Sequence, residues 1–167
     1  MNDRRFTSNI SVAWYATIVL TATYTFSFID RQIVNLLVEP IKADLLLSDT
    51  QISFLQGLAF VVPYLILSIP VGRLVDTVSR VKVLIGGIIF WSLACVFCGL
   101  SKSMTQLAIG RMGVGAGEAS VTPAAWSLLA DYFPEDKRGL PVSIFLMGPC
   151  LGAGLSLSIG AEVISWA

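Results

Sequence analysis

The stretch ISVAWYATIVLTATYTFSFI, residues 10–29, contains twenty consecutive positions without a charged side chain. A helix needs about 20 mostly apolar residues to cross the hydrocarbon core of a bilayer. The run is longer than the ~7–15 apolar residues of a signal peptide and continues into Asp30 without a small-residue cleavage site. We therefore expect a retained membrane-spanning helix at about residues 11–38, which ends before Glu39 and Pro40.

Four further stretches of the 167-residue chain are long and apolar enough to form spans. The fourth of the five spans differs from the others, because Arg111 and Glu118 lie in its interior. The sequence therefore predicts an all-α integral membrane protein with five transmembrane helices. The four later spans are expected at about residues 50–75, 81–101, 104–131 and 140–164.

The composition agrees with this fold class and excludes several functions. The chain is 55% hydrophobic and 13% charged, against roughly 25% charged residues in a soluble domain. It contains no histidine, which excludes a Ser-His-Asp or Cys-His nucleophile and a His-ligated zinc. Eleven basic residues balance eleven acidic ones, so no net positive charge favours nucleic acid as a partner. We expect no enzyme activity, no catalytic residue, no metal and no cofactor.

The distribution of basic residues between the spans predicts the orientation of the chain. Seven basic residues fall on one side of the membrane and two on the other, while Arg31 and Arg111 lie inside helices. Because cytoplasmic loops carry an excess of Lys and Arg, we expect the N-terminus to be cytoplasmic. The seven are Arg4, Arg5, Arg73, Arg80, Lys82, Lys137 and Arg138, and the two are Lys42 and Lys102.

The connection between the second and third spans has a distinctive order of residues. It reads GRLVDTVSRVK from Gly72, and by its charge alone it is an ordinary positive cytoplasmic loop. The order of Gly72, Arg73, Asp76 and Arg80 closely resembles the signature loop of the major facilitator superfamily. Thr77 stands where that family usually has Arg or Lys, which weakens the basic cluster.

Four other motifs widen the resemblance to nearly the whole chain. Together with the signature loop they are similar to the N-terminal half of the spinster-like branch, especially its bacterial members. That family has twelve helices in two halves of six, so five spans and an apolar stop indicate a truncated N-terminal bundle. The resemblance implies the lipid bilayer of a bacterial inner membrane as location and a missing C-terminal half as partner. The motifs are SFIDRQ at 27–32, RMGVGAGEA at 111–119, ADYFP at 130–134 and MGPCLG at 147–152.

Two pairs of glycines have the spacing of membrane helix contacts. Gly113 and Gly117, and likewise Gly148 and Gly152, are separated by three residues. Small residues at this spacing let two membrane helices approach closely, so we expect a packing role for them. A dinucleotide-binding loop is excluded, because Glu118 stands where the G-x-G-x-x-G pattern requires its last glycine.

The resemblance implies a secondary transporter that works by alternating access, with a cavity lined by its first and fourth helices. These two spans carry the intramembrane charges Asp30, Arg31, Arg111 and Glu118, which by default indicate function. Asp30 lies roughly 12 Å and Arg111 roughly 10 Å below the outer ends of their spans, a similar depth that favours an ion pair. Glu118 lies two turns beyond Arg111 and can exchange a proton.

We therefore expect transport of a small or amphipathic organic solute coupled to protons. A static buried network that only holds the helices together is the structural alternative for the charged residues. A truncated, non-transporting membrane fragment or assembly partner is the functional alternative for the chain. A membrane-embedded enzyme could use only a carboxylate site such as Asp30 with Glu118, because no histidine is present.

Overall fold

The computed structural model describes the backbone of residues 10–166 and the side chains of residues 10–160. Within that range the chain forms nine α-helices, one short 3₁₀-helix and no β-strand, which confirms the predicted all-α fold. Arg4 and Arg5, which were used to predict the orientation, lie outside the described residues. The helices are α1 (Ile10–Leu36), α2 (Val38–Leu45), α3 (Asp49–Gln56), α4 (Leu58–Thr77), α5 (Arg80–Gly99), α6 (Met104–Glu118), α7 (Val121–Tyr132), the 3₁₀-helix (Glu135–Lys137), α8 (Gly139–Leu146) and α9 (Gly148–Trp166).

Four helical stretches of the described chain are long and apolar enough to cross a membrane. Two of them contain a local break, at Gly57 between α3 and α4 and at Met147 between α8 and α9. Many large apolar side chains along these stretches are exposed, as expected for helices that face lipid. The chain is therefore an integral membrane protein. The stretches cover Ile10–Leu36, Asp49–Thr77, Arg80–Gly99 and Gly139–Gly160.

The predicted fourth span is divided into α6 and α7, which are separated by Ala119 and Ser120. Pro123 lies in the first turn of α7 and has no amide hydrogen, so it cannot donate to the carbonyl of Ala119 as a helical residue would. The chain tightens at this point, where the amide of Ser120 donates to the carbonyl of Gly117 at 3.2 Å. The hydroxyl of Ser120 donates to the same carbonyl at 2.9 Å. The proline thus accounts for the division of the span.

The described residues form two compact units, one of residues 10–32 with 125–166 and one of residues 33–124. In the second unit, α6 packs against both α4 and α5, and α3 contacts α4 and α6. Apolar side chains of α3 and α6 form a buried core there together with Leu47. We call it the Leu55 cluster, and its members are Leu47, Ile52, Leu55, Leu107 and Ala108.

The connection between α2 and α3 in this unit is held by local polar contacts. The backbone turns at Leu46, which has a left-handed φ of 52°. Ser48 and Gln51 form a reciprocal capping box at the start of α3, with N–H···O distances of 3.3 and 2.9 Å. Lys42 on α2 donates a hydrogen bond to the carboxylate of Asp49 on α3. This hydrogen bond and the negative charge of Asp49 raise the pKa of Lys42 above its ordinary value.

The first unit contains two aromatic ring contacts and an arginine that binds backbone carbonyl groups. The rings of Tyr24 and Phe145 are stacked with their centroids 4.8 Å apart, and Phe145 is fully buried. Trp14 meets Phe133 edge to face at 5.5 Å. The guanidinium of Arg138 donates to the carbonyl of Phe133 at 3.2 Å. Arg138 therefore satisfies a backbone acceptor that α7 leaves open at its C-terminal end.

Candidate functional site

Helix α6 carries two charged residues into the interior of the second unit. The side chain of Arg111 is 4% exposed and that of Glu118 is 1% exposed. The helix begins at Ser103, whose hydroxyl accepts a hydrogen bond from the amide of Gln106 at 3.3 Å. Because α6 packs against α4 and α5 at the same time, its middle and end are enclosed by protein. Two ionisable groups are thus buried on one helix of a membrane protein.

Arg111 lies over an aromatic ring of α4. Its guanidinium carbon is 5.1 Å from the centre of the Phe60 ring, a distance typical of a cation–π interaction. A cavity of about 10 Å³ adjoins Arg111 and is also lined by Gln56 and by Leu55 of the Leu55 cluster. Most of the side chains around this small cavity are aliphatic. Gln56 in turn donates to the side chain of Asn35 at 3.0 Å.

Glu118 is the last residue of α6 and precedes the break at Ala119 and Ser120. It lies seven residues after Arg111, which corresponds to about 10 Å along the helix axis. That separation is too long for a direct salt bridge between the two side chains, which requires about 4 Å. The structure therefore places both predicted residues on one helix and at different depths.

Asp30 and Arg31 lie on α1 in the first unit and are both half-buried. The guanidinium of Arg31 donates to the hydroxyl of Ser27 at 3.4 Å and lies 5.6 Å from the centre of the Phe28 ring. These contacts are all within one helix, and they direct Arg31 back along α1. The ion pair between Asp30 and Arg111 stays a prediction.

The signature sequence from Gly72 to Arg80 belongs mostly to helix ends rather than to a loop. Helix α4 continues through Thr77, and only two residues separate it from Arg80, where α5 begins. Gly72, Arg73 and Asp76 therefore lie in the last turns of α4. The hydroxyl of Thr77 donates to the carbonyl of Arg73 at 3.3 Å. Thr77, which departs from the family pattern, thus helps to close the end of α4.

The glycines of α6 lie very close to α5. A Cβ atom added at Gly117 would be 2.7 Å from the backbone nitrogen of Trp91 and 2.9 Å from the carbonyl oxygen of Gly87. A Cβ atom added at Gly113 would be 2.9 Å from the Cβ of Ala94. Real Cβ atoms do not approach other atoms so closely, so a side chain at Gly117 would push the two helix backbones apart.

Gly148 and Gly152 lie against α1 within the first unit. A Cβ atom at Gly152 would be 2.6 Å from the carbonyl oxygen of Thr25 and 2.7 Å from the Cβ of Phe28. A Cβ atom at Gly148 would be 3.1 Å from the carbonyl oxygen of Thr21. Helix α9 therefore approaches the backbone of α1 at both glycines.

Sequence reasoning missed two features that shape these contacts. Gly115 faces the other neighbour of α6, because its added Cβ would be 2.3 Å from the carbonyl oxygen of Phe60 on α4. On α1, the buried hydroxyls of Thr17, Thr21 and Thr25 each donate to the carbonyl four residues earlier, at 2.8–3.0 Å. The spacing of four between these threonines was a visible signal of a buried polar stripe.

No cluster of three or more His, Cys, Asp or Glu side chains that could hold a metal ion occurs in the described part of the chain. Within that part of the chain, Cys95, Cys98 and Cys150 are not joined in disulfide bonds.

Comparison with known proteins gives a consistent result. Residues 20–167 match the family model of the Major Facilitator Superfamily. An MFS-type efflux pump of Mycolicibacterium smegmatis is 35% identical over 157 residues, which cover 92% of this chain and 37% of the pump. Protein spinster homolog 1 of Xenopus tropicalis is 32% identical over 164 residues, which cover 96% of this chain and 31% of that protein.

A solved structure agrees with these relatives. It shows a bacterial homolog of the human lysosomal transporter Spinster in an inward-facing, unoccupied conformation, and it is 34% identical with a TM-score of 0.89. The match covers 93% of this chain and 32% of that structure. The chain thus spans about a third of the length of the relatives it matches. The resemblance expected from its motifs, including the similarity to spinster, is confirmed, and the chain belongs to the Major Facilitator Superfamily.

Proposed function

We propose that the chain is part of a transporter that moves a small or amphipathic organic solute across a bacterial inner membrane by alternating access, driven by protons. The observation that carries the proposal is the burial of Arg111 and Glu118 on α6, which is surrounded by apolar helices. Membership of a transporter family and similarity to an efflux pump support the same conclusion.

The cost of burying charge is the physical reason for assigning these residues a function. An ionisable side chain inside a membrane is expensive, so it marks a substrate or ion pathway by default. Phe60 reduces this cost for Arg111, because the face of its ring attracts the guanidinium. Both residues lie on a helix whose packing holds them in place.

The proposed role of each charged side chain follows from its chemistry. Glu118 and Asp30 are carboxyl groups and exchange the coupling proton as access alternates. Arg111 keeps its positive charge throughout, so it stabilises the ionised form of Asp30, and it contacts an anionic group in those solutes that carry one. Arg31 lies beside Asp30 in the sequence and adds a second cation to the same part of α1. Solute, protons, bilayer and the remaining helices of the natural-length protein are the proposed partners.

The experiment measures uphill transport by the natural-length protein in proteoliposomes with an imposed pH gradient. Ethidium, an amphipathic organic cation, is the probe. Glu118→Gln should reduce proton-driven accumulation to the level of empty vesicles, while exchange of ethidium between the two sides continues. Glu135→Gln is the matched control, because Glu135 is exposed outside the long helices and should leave accumulation unchanged.

Two results contradict the proposal at different levels. If Glu118→Gln accumulates ethidium with normal pH dependence, the acid is structural and the coupling role is wrong. If wild-type vesicles accumulate no more ethidium than empty ones, the proposed solute class is wrong and the non-transporting alternative gains support.

A further inference from the structure

A groove of about 410 Å³ lies on the second unit, between the end of α4, the first half of α5 and the end of α6. Its walls are mostly apolar and include Leu74, Val78 and Phe90, while Ala116 lies on the side of α6. The volume falls within the roughly 300–1,000 Å³ of small-molecule sites. It is separate from the proposed proton and solute residues, none of which line it.

Two adjacent glycines of α5, Gly86 and Gly87, line the groove. A Cβ atom added at Gly87 would be 1.8 Å from the hydroxyl oxygen of Ser120, so this glycine serves helix packing. A Cβ atom added at Gly86 would meet no atom within 4 Å. Glycine in a helix interior costs about 1 kcal/mol relative to alanine, and no packing contact explains it at Gly86. This position borders open space that a larger side chain would fill.

One end of the groove is cationic. Lys82, Gly86 and Phe90 are four residues apart on α5, so they share one face of the helix. Lys82 is exposed and lies near the start of α5, at the edge of a membrane-spanning stretch. Phe90 lies about 12 Å further along the helix axis, at the depth of the hydrocarbon core. The groove therefore combines a positive charge at the membrane surface with an apolar body below it.

The neighbouring residues strengthen the positive charge at this end. Arg73 lies near the end of α4 and Arg80 lies at the start of α5 close to Lys82, and Asp76 is the single acid between them in the sequence. Basic residues beside a membrane attract anionic lipids, with about 1 kcal/mol for each Lys or Arg.

We propose that this groove binds one acyl chain of an anionic phospholipid, whose phosphate group contacts Lys82. An anionic headgroup above an apolar tail matches both ends of the groove, in charge and in polarity. Two of its walls, α4 and α5, belong to stretches that are long and apolar enough to cross a membrane, so lipid chains are present at the depth of the groove. This site is independent of the proposed transport function, and its test requires no substrate.

The first experiment compares two lipids that differ only in headgroup charge. Native mass spectrometry of the natural-length protein in detergent measures retention of palmitoyl-oleoyl phosphatidylglycerol, which is anionic, and of the zwitterionic phosphatidylcholine with the same chains. We expect tighter binding of phosphatidylglycerol, and Lys82→Gln should weaken it about fivefold. Lys137→Gln is the matched control, because Lys137 is exposed on the 3₁₀-helix and does not line the groove.

The second experiment fills the groove without disturbing the backbone. Gly86→Leu should abolish the preferential retention of phosphatidylglycerol and leave the elution profile of the protein unchanged. Gly154→Leu on α9 is the control, since an added Cβ at Gly154 also meets no atom within 4 Å.

Three outcomes would overturn the proposal. The first is equal retention of the two lipids by the wild-type protein. The second is unchanged retention of phosphatidylglycerol in Gly86→Leu or Lys82→Gln. The third combines two observations. The wild type binds no lipid, and Gly86→Leu fails to fold although Gly154→Leu folds normally. That result would show that a protein segment occupies the groove.

Discussion

Helices α5 and α6 pack against each other, yet they differ in how much of their surface is buried. Of the twenty residues of α5, only Leu84 and Trp91 are buried, and apolar side chains such as Ile89 and Leu93 are more than half exposed. More than half of the fifteen residues of α6 are buried, including both of its charged residues. Helix α5 exposes apolar side chains along most of its length, whereas α6 is enclosed by protein.

The difference follows from the side chains that each helix presents. The aliphatic residues of α5 match hydrocarbon, so they need no protein partner. The glycines of α6 let two neighbouring helices approach its backbone, as the short distances at Gly115 and Gly117 show. Close neighbours exclude lipid from Arg111 and Glu118, and this enclosure is what allows a membrane helix to carry them.

The largest expected effect comes from placing the same methyl group on the two helices. Gly115→Ala places a Cβ 2.3 Å from the carbonyl oxygen of Phe60, and such overpacking should destabilise the protein by about 3 kcal/mol. Gly86→Ala on α5 has no atom within 4 Å and should stabilise the helix by up to about 1 kcal/mol. Thermal unfolding of the natural-length protein, followed by size-exclusion chromatography, measures both. Equal effects of the two substitutions would remove the proposed distinction between the helices.

An intermediate effect is expected from the contact between Arg111 and Phe60. A double-mutant cycle with Arg111→Met and Phe60→Leu should give a coupling energy of about 0.5–2 kcal/mol in chemical unfolding. The control cycle pairs Arg111→Met with Phe90→Leu, because Phe90 is exposed on α5, and its coupling should be close to zero. A coupling of zero in the first cycle would show that the ring does not stabilise the buried cation.

The smallest effect is expected at an exposed charge pair, which contrasts with the buried charges of α6. The pKa of Lys42 is raised by its hydrogen bond to Asp49 and by the negative charge of that residue. The pKa of Lys42 in the folded state therefore exceeds its pKa in the unfolded state. The pair stabilises the folded state fully below about pH 10.4, and this stabilisation is lost as the pH rises through the folded pKa. Unfolding temperatures between about pH 9 and 12 should fall slightly more for the wild type than for Lys42→Met. Identical slopes would mean that the pair contributes no stability.

Much of the architecture could be predicted because it depends on the local character of the chain. Twenty uncharged residues from Ile10 to Ile29 can cross a bilayer in only one simple way, as a helix that satisfies its own backbone. The order of Gly72, Arg73, Asp76 and Arg80, together with the four other motifs, indicated the superfamily. Pro123 was a visible irregularity, but its consequence, the division of the fourth span, depended on how the chain tightens at Ser120.

The contacts of particular residues could not be predicted, because they depend on which helices become neighbours. The spacing of Gly113 and Gly117 indicates a helix contact, but it does not name α5 as the partner or show that Gly115 faces α4. Gly86 and Gly87 are adjacent and identical in sequence, yet one is packed tightly and the other borders an open groove. The local sequence sets where a side chain is absent, whereas the packing of distant helices decides whether backbone, lipid or a bound molecule occupies that space.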